Sequence, residues 1–138
     1  MTFFTPRNAF LLALAFLVQV SAAQISVRSD LSDDREVAPG STYEGAIQVH
    51  NDTDEFQEAK IYQTDYLFYS DGSNLYGDPG QDNRSNANWT RVSTPTVTLH
   101  PRSSTQVSYV VQVPDSQGVK PLEGSYWSMI MVESVPKE

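Results

Sequence analysis

From Ile25 onward, apolar and polar residues alternate with a period of two, and no segment carries a convincing 3.6-residue period. Ile25 and Val27 open the pattern. Thr42 to His50 is its clearest stretch: Tyr43, Gly45, Ile47 and Val49 fall on one side, and Glu44, Ala46, Gln48 and His50 on the other. That is a strand with one dry and one wet face. Phe56 to Tyr69 predicts a long strand or two joined pieces. Ala59, Ile61, Gln63, Asp65 and Leu67 share one face; Tyr62, Thr64, Tyr66 and Phe68 share the other. Asp65 stands among apolar neighbours, so burial there requires a hydrogen-bonding partner. Trp89 to Val92, Val97 to Leu99 and Val107 to Val113 are further strand segments, the last two ended by Pro101 and Pro114. Gly124 to Glu133 is the last, with Tyr126, Ser128, Ile130 and Val132 against Trp127, Met129, Met131 and Glu133.

Turn chemistry separates these runs. Val37-Ala38-Pro39-Gly40 leads into the Thr42 strand, and Asn51 to Glu55 forms a polar turn. Asp71 to Asn88 and Asp115 to Glu123 read as loops, the first unusually long for a small domain. About seven strands in a chain of this size predict an all-β fold, an immunoglobulin-like β-sandwich with Greek-key connections.

The first 23 residues break the pattern. Arg7 supplies a positive start, Ala9 to Val20 is an apolar run interrupted only by Gln19, and Ser21-Ala22-Ala23 offers small residues for cleavage. Residues 1–23 therefore read as a secretory signal peptide, and 24–138 as a single sandwich domain. The apolar run is shorter than the roughly 20 residues that span a bilayer, and no second run follows, so no membrane span is expected in the processed chain. The expected location is outside the cytoplasm, in a periplasm or at a cell surface.

Charge and cysteine content narrow the chemistry. The net charge of −8 over the whole chain becomes −9 once Arg7 leaves with the leader. An acidic domain repels phosphate backbones, which argues against nucleic acid. There is no cysteine, hence no thiolate nucleophile, no thiolate metal site and no acylated lipoprotein terminus. His50 and His100 read as strand-end residues, and no serine lies in a G-x-S-x-G setting. No catalytic residue, metal site or cofactor is expected. Asp71, Asn74, Asp78 and Asp82 place oxygen atoms at short spacing in the long loop, a candidate ligand-binding segment without the regular calcium-loop pattern. Tyr62, Tyr66, Phe68, Tyr69, Tyr76 and Trp89 form an aromatic-rich region, either core or a platform for sugar rings.

Two stretches, Val37 to Asn51 (VAPGSTYEGAIQVHN) and Ser93 to Pro114 (STPTVTLHPRSSTQVSYVVQVP), the second followed by Leu122 to Glu133 (LEGSYWSMIMVE), carry a resemblance. They look like the first domain of periplasmic pilus-assembly chaperones (PapD-like) and related bacterial surface immunoglobulin-like domains. They are also similar to the domain of WxL-type cell-wall proteins. The chaperone resemblance implies a basic pair that anchors the carboxylate of a pilus subunit. Arg35 matches its arginine; the last strand carries no lysine, and Lys120 precedes it. It further implies that alternating apolar side chains of one strand meet a partner. A strand apolar on both sides, as Trp127, Met129 and Met131 make this one, is either central in its sheet or meets a partner. The expectation is a non-enzymatic, exported, chaperone-like assembly module of the bacterial envelope. It would bind a protein partner, an envelope or surface subunit, by strand-edge pairing through Arg35, Trp127, Met129 and Met131. The alternative is a module that binds carbohydrate or peptidoglycan of the cell wall.

Overall fold

In the computed structural model, residues 24–138 are described; the Ala9–Val20 run and the cleavage expected after Ala23 lie outside them. Alternation has produced strands where it was clearest: β1 (Ile25–Val27), β2 (Thr42–Asn51), β3 (Gln57–Phe68), β4 (Asn74–Gly77), β5 (Thr90–Val92), β6 (Thr96–Leu99), β7 (Ser104–Gln112), β8 (Ser116–Gln117), β9 (Lys120–Pro121) and β10 (Met129–Ser134). A 3-10 turn, Ala87–Trp89, precedes β5.

Two antiparallel sheets form the body. One has the order β1-β2-β7-β5. In the other, β3 is central, with β10 on one edge and both β6 and β4 on the opposite edge. Spatial neighbours are distant in sequence, as in β2 beside β7 and β3 beside β10, and the chain crosses repeatedly between sheets. This is the Greek-key habit of an immunoglobulin-like sandwich. The core joins both sheets through Val49 and Val107 on one side and Ala59, Ile61 and Leu99 on the other. Ile25, Ile47, Val92, Val97, Ile130 and Val132 pack around that cluster, partly buried.

Seven of the strands in these two sheets, β1, β2, β3, β5, β6, β7 and β10, fall where the alternation predicts strands. The remaining three depart from the sequence reading. The Asp71–Asn88 segment is not a loop throughout, because Asn74–Gly77 folds back on β3 as β4, Tyr76 opposite Tyr66. Asp115–Glu123 contains the β8–β9 hairpin. The last strand begins at Met129 rather than Gly124. Gly124 has a φ of +87°, and Trp127 makes an isolated parallel bridge to Ser85. Its N–H donates to the Arg84 carbonyl at 2.9 Å and its carbonyl accepts from the Asn86 N–H at 3.2 Å. The folded loop captures the backbone that alternation alone assigned to the strand.

The loop is held by Asp65. This aspartate is 2% exposed, on the inward face of β3. Its carboxylate accepts from the backbone N–H groups of Gly80, Gln81 and Asp82, each at 2.7 Å, and from the Ser85 hydroxyl. Burial pushes its pKa up, but Ser85 and the three amides outweigh that and hold it below the usual carboxylate value. At the opposite end of the sandwich, buried Asn51 performs the same service. Its amide donates to the Glu55, Leu99 and His100 carbonyls, and its oxygen accepts from Thr53.

Candidate partner-binding surface

Among the described residues, β10 pairs with β3 alone, from Met129↔Thr64 to Ser134↔Ala59. Within them it is an edge strand, with β3 as its single neighbour. An edge strand turns a row of backbone N–H and C=O groups outward, which makes it a template for another strand. Ile130 and Val132 point inward to the core. Met129 and Met131 fall on the opposite, outward face beside Thr64 and Tyr62. The outward cover is close enough that the Thr64 hydroxyl is out of solvent with no partner.

The outward face continues as an aromatic row. Tyr66 stands 5.5 Å from Tyr76 and 6.0 Å from Phe68, and Phe68 stands 5.8 Å from Trp127, ring centre to ring centre. These rings are not core. Phe68 is 62% exposed and Tyr76 50%, so the period-two pattern placed them on the wet side of β3 and β4. Trp127 is fastened there, its indole N–H donating to the Tyr66 carbonyl at 2.7 Å. Trp89 belongs to a separate stack, 4.8 Å from Tyr126, whose ring lies under the Arg84 guanidinium.

Arg35 does not join this surface. Its Nε donates to Asp33 at 3.0 Å, and its guanidinium lies 4.8 Å from the centre of the Tyr43 ring. Asp33 also accepts from the Tyr109 hydroxyl at 2.6 Å. Arg35, then Tyr109, hold the Asp33 carboxyl below its ordinary value. Burial, reinforced by the Asp33 hydrogen bond and charge, pushes the Tyr109 phenol up to about 12. Tyr109 in turn lies over Gly45, its partner across β2 and β7. Arg35 is thus engaged by Asp33 and Tyr43, and among the described residues no hydrogen bond, ion pair or cation–ring contact joins it to Trp127, Met129 or Met131. Lys120 lies in β9, away from the last strand.

The loop oxygens do not converge either. Asp71 accepts from the Ser73 N–H and hydroxyl, capping the turn into β4. Asn74 accepts from the Tyr66 hydroxyl at 3.1 Å, and Asp82 from the Arg84 N–H at 2.8 Å. Asp78 is exposed. Asp71 and Asp82 serve their own turns and Asn74 a cross-strand bond, and among the described residues no three His, Cys, Asp or Glu side chains meet as a metal site. No described helix is long and apolar enough to cross a membrane.

No protein-family model matches the chain, and no curated protein matches it. Two solved structures resemble it. One is the ASH/PapD-like domain 7 of human CEP192, at 14% identity over 73% of this chain and 70% of that one, with a TM-score of 0.44. The other is the class 5 fimbriae chaperone CfaA, at 18% identity over 80% of this chain, with a TM-score of 0.42. This chain spans about half of the chaperone's length, 54%.

Proposed function

We propose that this chain is an exported, non-enzymatic interaction module of the bacterial envelope, chaperone-like in fold. It binds a protein partner by pairing a strand with the free edge of β10. The observation that carries this reading is the one-sided pairing of β10, with Ile130 and Val132 inward and Met129 and Met131 outward. Backbone pairing supplies affinity in such contacts, and alternate side chains supply selectivity. Export is supported by Arg7, the Ala9–Val20 run and Ala23.

The test is site-specific crosslinking in the envelope. A photoreactive residue in place of Met131 should give a discrete adduct with one protein species, and the same residue in place of Thr42 should not. Equal labelling at both positions, or none, sinks the edge-pairing reading. The second reading is glycan binding, favoured by the exposed row of Tyr66, Phe68 and Tyr76. Co-sedimentation with purified peptidoglycan, lost in Tyr76→Ala and Phe68→Ala, would support that reading in place of the first.

A further inference from the structure

Gln24 is held from both sheets. It precedes β1, and its backbone carbonyl accepts from the Asp52 N–H at 3.0 Å, next to the Ile25↔Asn51 pair of the first sheet. Its side chain reaches the second sheet. There the hydroxyl of Ser134, the end of β10, donates to Oε1 of the Gln24 amide at 3.1 Å. Among the described residues, none accepts from the backbone nitrogen of Gln24. The residue is exposed, in a depression that Glu55, Gln57, Pro136 and Lys137 also line.

Ser21-Ala22-Ala23 carries the small side chains of a leader-cleavage site, and processing after Ala23 makes Gln24 the first residue. Cleavage converts its backbone nitrogen from an amide into a nucleophilic amine. A glutamine in first place carries its own electrophile, the side-chain amide carbon Cδ, which that amine reaches by closing a small ring.

We infer that the processed chain closes its own N-terminus: the Gln24 amine attacks Cδ and forms a pyroglutamyl lactam, with Ser134 as hydrogen-bond donor to the amide oxygen. This rests on the export reading, with cleavage after Ala23. The bond that forms is N–Cδ and the bond that breaks is Cδ–Nε2. The amine loses one proton, the departing nitrogen gains one, and ammonia leaves; nothing is oxidised or reduced. Amine and carbon belong to one residue, so they meet at a high effective concentration. Attack puts negative charge on Oε1, the atom that the Ser134 hydroxyl already contacts. The product keeps the backbone carbonyl that Asp52 holds, so β1 stays in register. It loses the terminal positive charge, which leaves the Glu55–Lys137 ion pair of the same depression, 3.0 Å long, without a competing cation. It also loses the free amine that an aminopeptidase requires.

The test follows the whole chain, leader included, through export. Processed protein is harvested early, purified and incubated in buffer, and its intact mass and N-terminal sequence are read over time. A blocked terminus at Gln24, lighter by one ammonia, should accumulate without added enzyme. Ser134→Ala should slow closure about tenfold, the order of one hydrogen bond's effect on a barrier, with urea unfolding showing the sandwich intact. Ser134→Thr, which keeps a hydroxyl, should restore the rate. A synthetic peptide of residues 24–28 should close more slowly than the folded chain, and Gln24→Ala should keep its free amine. A chain that begins at Gln24 and stays open overturns the inference and leaves export standing. Equal rates in the parent, Ser134→Ala and the peptide overturn the part given to Ser134. Closure that is partial at harvest and stops in buffer points to a host enzyme and overturns self-closure. A first residue other than Gln24 overturns the cleavage reading and the inference together.

Discussion

The indole N–H of Trp127 donates to the backbone carbonyl of Tyr66 across 2.7 Å, tying the entry of the last strand to the far end of β3. Trp127 also pairs through its own backbone with Arg84 and Asn86. It is therefore a fastening as well as part of the outward face. Trp127→Phe should keep the ring beside Phe68 and lose only the hydrogen bond, at about 1 kcal/mol. Trp127→Ala should lose the packing too, about 3 kcal/mol in all. Urea denaturation of both variants checks the difference; equal losses would show that the bond contributes nothing.

Replacing Asp65 strips acceptors from three backbone amides at once. Asp65→Ala should cost about 3 kcal/mol, because the Gly80, Gln81 and Asp82 amides lose their partner. The pH dependence follows from its lowered pKa. Above the unfolded carboxyl value of about 3.9 the folded state holds the full advantage. That advantage drains as pH falls below it, toward and through the lower folded value. The acid limb of a stability–pH curve should therefore be shallower in Asp65→Asn than in the parent.

Tyr109 gives the alkaline counterpart. Its phenol is raised to about 12, so the folded state keeps its proton after an unfolded tyrosine has lost one near 10. Its contribution is complete below pH 10 and is lost as pH climbs toward 12. Ultraviolet titration of tyrosine ionisation should show a late-titrating group that disappears in Tyr109→Phe.

Gly45 faces the Tyr109 ring so closely that a Cβ there would collide with it. Gly45→Ala should destabilise the protein by about 2 kcal/mol. The same change made in a Tyr109→Ala background should cost much less, and a double-mutant cycle reads the coupling directly. Additive effects would show that the ring moves aside freely.

The Thr64 hydroxyl is buried without a partner on the outward face. Thr64→Val keeps the shape and removes the unpaired group. The variant should be more stable by about 1 kcal/mol, measured by thermal or urea unfolding.

Much of this was readable from the residues. The Thr42–His50 alternation became β2 unchanged because one of its faces is dry, and a dry face fixes register. Asp65 was legible for the same reason: a carboxylate in an apolar row must be satisfied. The departures have separate causes. At Gly124–Ser128 the alternation persists, yet Trp127 pairs with Arg84 and Asn86, positions about forty residues upstream that Asp65 holds in place. β4 was hidden because an exposed hairpin needs no periodic apolar face, and Leu75 and Tyr76 remain half out in water. Arg35 was drawn to the surface by likeness of position, whereas its pairing with Asp33 depends on a turn that sequence alone does not draw.

The acidic stretch from Asp30 to Glu36 has a consequence for crowding. Two identical molecules that approach through this stretch bring matching carboxylates together, and the net charge of −8 adds to the repulsion. Over a Debye length of about 10 Å at 0.1 M salt, that repulsion is felt as the molecules draw near. Added salt weakens it, so the protein's colloidal behaviour becomes a function of ionic strength.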